Sequence, residues 1–195
     1  RRTLRYDKDR DQHYDIVSAY IKSMRGSDVD AALYWLARML EAGEDPLFVA
    51  RRLVIFASED VGNADPRGIM VAVAAKEAVH LVGMPEGFYP LAQATTYLAT
   101  AAKSNAAGEA YKAAREDVEK NPDEPVPLHL RNAVTGLMKA EGYGKGYQYA
   151  HDQPGAVVTH GHRPPSTEGR AYYRPTERGY EATIRKLMDE RKKRP

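Results

Sequence analysis

Three carboxylates, Glu59, Asp60 and Asp65, fall within one short stretch of this 195-residue chain. Grouped acids bind hard divalent cations and raise one another's pKa, so residues of this type at this spacing are the raw material of a metal or acid–base site. A structural role explains the same residues more completely. Asp65 precedes Pro66, a helix-start signal in which the carboxylate accepts from free first-turn amides and proline loses nothing at the first helical position. Glu59 and Asp60 fall near the C-terminal end of the preceding helix, where the macrodipole opposes negative charge. They need cationic or amide partners. Arg51 and Arg52, two turns back, reach them only if the chain bends, and Gly62-Asn63 supplies a turn. Arg51, Arg52, Glu59, Asp60, Asn63 and Asp65 are expected to form a structural corner, with no catalytic, cofactor-binding or metal-ligating residue.

The histidines offer less. His160-Gly-His162 has alternate spacing that would suit two imidazole ligands, but no acid or thiol lies beside it, and it reads as a loop. His151-Asp152 resembles half of a triad without a nameable activated serine. His129, at a helix start, is expected to hydrogen-bond locally. Tyrosines gather late in the chain, and Tyr143, Tyr147, Tyr149 and Tyr172, with Lys139, Lys145 and Arg174, suit two roles. They suit base stacking with phosphate neutralisation, and equally a subunit interface rich in Tyr and Arg.

Helices must position these groups. His13 to Met24 reads as a first helix, and Ser27 or Asp28 caps a second with Ala32, Trp35, Leu36, Met39 and Leu40 on one stripe, closed at Gly43. Asp45-Pro46 starts a third, apolar from Leu47 to Ala57 except at Arg51 and Arg52. Pro66 to Val82 is nearly as apolar, so both are expected to be interior or to lie against a partner subunit. Helices over Pro90 to Ala102, Ser104 to Lys120 and Leu128 to Ala140 follow, the last presenting Leu130, Val134, Leu137 and Met138 on one side. From Gly144 onward glycine and proline predict an irregular segment with extended pieces at Ala156 to Thr159 and Ala171 to Tyr173, then a charged helix from Thr176 to Arg194. The fold class is all-α, a helical array with a Gly/Pro/Tyr-rich extension.

Composition narrows the function. With 43% hydrophobic residues the chain can bury a substantial core. It has no cysteine, which removes disulfides and thiolate chemistry and fits a reducing compartment. The longest wholly apolar run, Ile69 to Ala75, is far short of the roughly 20 residues a membrane span needs, so no membrane partner is expected. The formal net charge of +2 does not mark a nucleic-acid binder, although basic residues concentrate in Arg1 to Arg10 and Arg185 to Arg194. The opening has no initiator Met and no secretion signal, and is expected to be a flexible lead-in cut from a longer protein.

Six ordered strings then carry a family likeness. They are Arg25-Gly-Ser-Asp-Val-Asp-Ala-Ala-Leu-Tyr-Trp35, Ala57-Ser-Glu-Asp-Val-Gly-Asn-Ala-Asp-Pro66, Lys103-Ser-Asn105, Val126-Pro-Leu-His-Leu-Arg-Asn132, Gly142-Tyr-Gly144 with Tyr149-Ala-His-Asp152, and Tyr172-Tyr-Arg-Pro-Thr176. Together they resemble the C-terminal region of the replication-associated recombination protein A family, the MgsA or Werner-helicase-interacting AAA+ ATPases. The resemblance implies residues 1–12 as a basic lead-in, 13–43 as the end of the AAA+ helical lid, 44–142 as a helical domain like the clamp-loader collar, and 143–195 as an extension packed on it. It implies a homotetramerisation module, or alternatively a DNA-binding module, of an ATPase that maintains replication forks in recombination and repair. ATP and magnesium would belong to an upstream module, since no Gly-x-x-x-x-Gly-Lys-Ser/Thr occurs in this chain. No cofactor and no ATP hydrolysis are expected here. The implied partners are further copies of the chain, single-stranded-DNA-binding protein, the replication machinery and DNA, in the cytoplasm at the nucleoid.

Overall fold

The computed structural model describes residues 10–158 and 161–193. Among them every regular element is helical. Two compact units are present, one formed by the chain up to Glu109 together with Arg174–Arg185, the other by Ala110–Tyr173 with the chain from Lys186 onward.

In the first unit, α1 (Arg10–Arg25) and α2 (Val29–Glu41) form a hairpin around Gly26-Ser27. Asp28 is the N-cap of α2, its carboxylate accepting from the Ala31 amide at 2.9 Å, so of the two caps considered Asp28 is the one used. Helix α3 (Pro46–Phe56) starts as its sequence predicts, with the Leu47 amide donating to Asp45 at 2.9 Å and proline in the first turn. Helices α4 (Arg67–Val82) and α5 (Phe88–Thr100) complete the bundle. Helix α5 packs against α1, α2, α3 and α4, which makes it the axis of the core. Its buried stripe, Leu91, Ala94, Thr95, Leu98 and Ala99, meets a core that includes Tyr20, Met24, Leu53 and Phe56. The core holds a polar pair, because the Tyr20 hydroxyl and Thr95 Oγ1 lie 2.7 Å apart and Thr95 also donates to the Leu91 carbonyl. Burial pushes the Tyr20 hydroxyl pKa up, and the Thr95 bond only partly offsets it.

The chain returns to this unit at residues 174–185. Tyr180 donates its amide to the Ala64 carbonyl at 2.8 Å, and Arg178 Nε donates to the Lys103 carbonyl at 2.7 Å. Glu181, wholly buried, accepts the Thr176 amide at 2.8 Å. The terminal helix therefore begins later than expected: α8 spans Glu181–Lys192, and the five residues from Thr176 onward serve as a strap.

In the second unit, which contains most of α6 (Ala106–Lys120), the predicted helix over Leu128 to Ala140 is not continuous. A 3₁₀ turn at Leu128–Leu130 is followed by the short α7 (Gly136–Ala140). Thr135 turns outward to cap α7, accepting from the Met138 amide, and Arg131 Nε takes the Val126 carbonyl at 2.7 Å. Thr135, in extended backbone with φ −120° and ψ 161°, caps α7 and starts a new helix there, so the periodicity does not propagate. Val134 is 81% exposed and Leu137 is exposed as well, so the stripe expected there is not buried. No strand forms at Ala156–Val158 or Ala171–Tyr173; Thr159, the end of the first extended piece, lies outside the described residues.

Candidate functional site

Two features of the first unit answer the questions the sequence posed. The first is the acidic corner. Helix α3 runs into a π-helical turn, Ala57–Val61, and then a 3₁₀ turn, Gly62–Ala64, so the bend the carboxylates required is present. Their cation is different from those expected. Arg25, at the end of α1, donates from Nε to Asp60 Oδ1 at 2.6 Å and from Nη2 to Asp60 Oδ2 at 3.2 Å. That hydrogen bond holds the Arg25 guanidinium above its ordinary pKa. Arg51 instead pairs with Asp45 at 3.5 Å, and Arg52 Nε is buried without a hydrogen-bond partner. The physical reason is direction: side chains two turns back on α3 do not fold over its own C-terminal turn, whereas α1 ends beside it. Glu59 is exposed and Asn63 is half-buried.

Asp65 does what a cap must, accepting from the Arg67 amide at 3.2 Å, and it also takes Arg67 Nε at 3.0 Å and the Tyr97 hydroxyl at 2.6 Å. Burial opposes its charge, but these hydrogen bonds outweigh burial and hold its carboxyl below the ordinary value. Lys103, in the loop after α5, approaches the corner: its Nζ donates to the Ala99 and Ala101 carbonyls at 2.9 and 2.6 Å. Burial lowers the Lys103 pKa, partly offset by the charge of Asp60. Asp60 and Asp65 thus have separate partners, Glu59 is left exposed, and among the described residues no group of three or more His, Asp or Glu could hold a metal ion.

The second feature is the outer face of α4. Gly68, Ala72, Ala75 and Val79 point into the core. The other side also carries apolar side chains, uncovered in one copy: Ile69, Met70, Val73, Leu81 and Val82 are exposed, Met70 at 69% and Leu81 at 86%, with the Lys76–Glu77 ion pair and His80 among them. Met84, Phe88 and Tyr89 extend the surface over the turn into α5. A groove of about 250 Å³ between the helices, lined by Val71, Ala74, Ala78, Pro90 and Gln93, adds relief to this face.

The profile described as MgsA AAA+ ATPase C terminal matches residues 26–192. This chain belongs to that family. It is 53% identical over 184 residues to replication-associated recombination protein A of Escherichia coli K12, covering 94% of this chain and 41% of that protein. Over 186 residues it is 54% identical to the Rv2559c AAA domain-containing protein of Mycobacterium tuberculosis, with 95% and 41% covered. ATPase WRNIP1 of Dictyostelium discoideum is 52% identical over 151 residues, 77% of this chain and 17% of that one. The chain spans about two fifths of the length of the bacterial relatives it matches. No Gly-x-x-x-x-Gly-Lys-Ser/Thr phosphate loop occurs in its sequence.

The late aromatics of this family member are partly committed. Tyr143 lies under the Arg131 guanidinium, 5.2 Å from ring to Cζ, and its hydroxyl accepts from Arg131. Tyr172 donates to Asp117 at 2.7 Å, and Arg170 pairs with the same carboxylate at 3.0 Å. Tyr147, Tyr149, Lys139 and Lys145 are exposed in the second unit, and Arg174 is exposed in the first. His129 does bond, but 32 residues away, to the Gly161 carbonyl at 2.7 Å. His151 lies beside Tyr149, rings 5.1 Å apart, and His160 lies outside the described residues. Residues 1–9 and 194–195, with much of the terminal basic charge, also lie outside them.

Arg25, Tyr97 and Lys103 escaped the sequence reading of the corner. Arg25 sits at a helix end next to Gly26, where a cation needs no partner to be explained. A buried carboxylate's cation can come from anywhere in the chain, and local spacing carries no record of it.

Proposed function

We propose that this chain is the self-association module of an AAA+ ATPase, gathering four copies into a homotetramer through the outer face of α4. The observation that carries the reading is the uncovered apolar surface of Met70, Val73, Leu81, Val82, Met84 and Phe88 on one helix and the turn that follows it. Exposed apolar side chains clustered on a folded domain, here interspersed with Lys76, Glu77 and His80, mark an interaction site, and identical copies close most simply around a symmetry axis. On this reading the bundle plays the part of a clamp-loader collar. ATP and magnesium are held by a module outside the chain, which hydrolyses no ATP alone. The names of relatives point to replication-associated recombination. By that likeness the assembled ATPase works on DNA at stalled or damaged forks, in the cytoplasm at the nucleoid. Single-stranded-DNA-binding protein and the replication machinery are its proposed partners.

Light scattering coupled to gel filtration tests this directly. Four chain masses at micromolar concentration are expected; a lone copy would defeat the reading. DNA binding is the second reading, favoured by the exposed rings of Tyr147 and Tyr149 near Lys139 and Lys145 in sequence. Its readout is the anisotropy of labelled single-stranded or forked DNA, which should fall steeply with salt and on Lys139→Ala and Lys145→Ala.

A further inference from the structure

A groove of about 250 Å³ lies on the α1–α2 hairpin, lined by Asp15 and Ile16 from α1 and by Trp35 and Arg38 from α2. It shares no residue with the outer face of α4. Trp35, the one tryptophan of the chain, is half-buried and packs against the core. The Tyr34 ring, 60% exposed, meets it edge-on with centroids 5.0 Å apart, and the Arg38 guanidinium lies over the indole at 5.3 Å. Trp, Tyr and Arg are the side chains that dominate binding energy at interfaces, where an aromatic anchor sits among contacts that exclude water. Their place in the fold is specific. Asp15 belongs to the second turn of α1, so the groove lies at the end of the hairpin where the chain enters it.

We propose that this groove seats the ATPase module that precedes the chain in the same polypeptide, and so fixes that module against the α1–α2 hairpin. The inference rests on the upstream placement of that module under the proposed function, and not on self-association through α4. The matched profile is the C-terminal one, and 41% of each of the two bacterial relatives is covered, so on that reading most of the polypeptide joins ahead of α1. Arg1 is 14 residues from Asp15, a reach of at most about 50 Å even fully extended. A module joined so close has a high effective concentration at the groove, and a modest contact suffices to hold it. Contacts between domains of one chain are more polar than obligate subunit interfaces, and this groove sets an indole between one acid and one base. A nucleic-acid strand fits less well, because Asp15 offsets Arg38 and leaves no net positive charge for phosphates.

The test is hydroxyl-radical footprinting read by mass spectrometry, on this chain and on the complete polypeptide that on this reading contains it, with a free reporter peptide in both samples to calibrate the dose. Tyr34 and Trp35 should be oxidised at least about fivefold more slowly in the complete polypeptide, because a seated module keeps water from them. Arg38→Glu reverses the charge beside the indole at an exposed position, so the shorter chain should keep its helical circular dichroism. In the complete polypeptide the variant should bring Trp35 oxidation to the rate of the same variant of the shorter chain. Equal rates in the two wild-type proteins, or a protection that Arg38→Glu leaves intact, would overturn the proposal. So would protection of Trp35 that appears in the shorter chain by itself and rises with its concentration, which would give the groove to a second copy. ATP hydrolysis by the complete polypeptide and oxidation of the exposed Met70 check the module and self-association separately, so failure of either reading is told apart from failure of the seat.

Discussion

The Asp60 side chain is only 10% exposed, and Arg25 reaches it with two donors. Removing the cation leaves a desolvated carboxylate behind, which is the costly way to break a pair. Arg25 is itself half-exposed, so the cost sits at the level of a charge-assisted hydrogen bond and not of a fully buried ion pair. Arg25→Ala should lower unfolding free energy by about 2 kcal/mol, and Arg25→Lys should recover only part because it loses the paired geometry. Urea denaturation of the three proteins checks it; equal midpoints would show the pair to be idle. Asp65 gives the pH counterpart. Its folded pKa is depressed, so its contribution is complete above the unfolded value near 3.9 and is lost as pH falls through the lower folded value. The stability gap between wild type and Asp65→Asn should be constant from neutral pH down to about 5 and close in the strongly acid range. A gap that closes near pH 6 to 7 would belong to another group.

The elements show where local chemistry suffices. The starts of α2 and α3 were legible because Asp28 and the Asp45-Pro46 pair act within one turn of their own positions. The break between Leu130 and Gly136 was not, since hydrophobic periodicity continued through it and only the side-chain bonds of Thr135 and Arg131 reveal the interruption. The Arg25–Asp60 pair was hidden for a related reason: 35 residues separate its members, and the expected partners were chosen by nearness in sequence. Glycine at the corner behaves differently from glycine at an ordinary helix end. Gly62 has φ near 50° and ψ near −137°, and a Cβ there would lie 2.8 Å from the Ser104 carbonyl oxygen, a backbone atom that cannot swing aside. Gly43 also has positive φ, but a Cβ there meets nothing within 4 Å. Gly43→Ala should therefore cost about 1 kcal/mol and Gly62→Ala about 3 kcal/mol or more, because it adds a clash to the backbone strain. Equal losses in chemical denaturation would mean that the corner relaxes around Ser104.

For the molecule as a whole, the question is what covers α4. Folding and assembly are linked if copies meet there, because association adds stability by mass action to the folded state only. For a tetramer, a tenfold rise in protein concentration adds about 1 kcal/mol per chain, which moves the melting temperature of a chain this size by about 3 °C. Wild type should show that shift. The double variant Met70→Asp with Leu81→Asp should not, because it places charges on two of the most exposed apolar side chains of α4, where burial between copies would be worth about 1.5–3 kcal/mol each. Both positions lie outside the packed core, so the variant should keep the helical circular dichroism of the wild type while its mass falls to one chain. Had these side chains been internal packing, the same substitutions would melt the helices instead of separating copies. Loss of helicity at unchanged mass would therefore place the function of α4 inside the bundle and remove it as a contact between subunits.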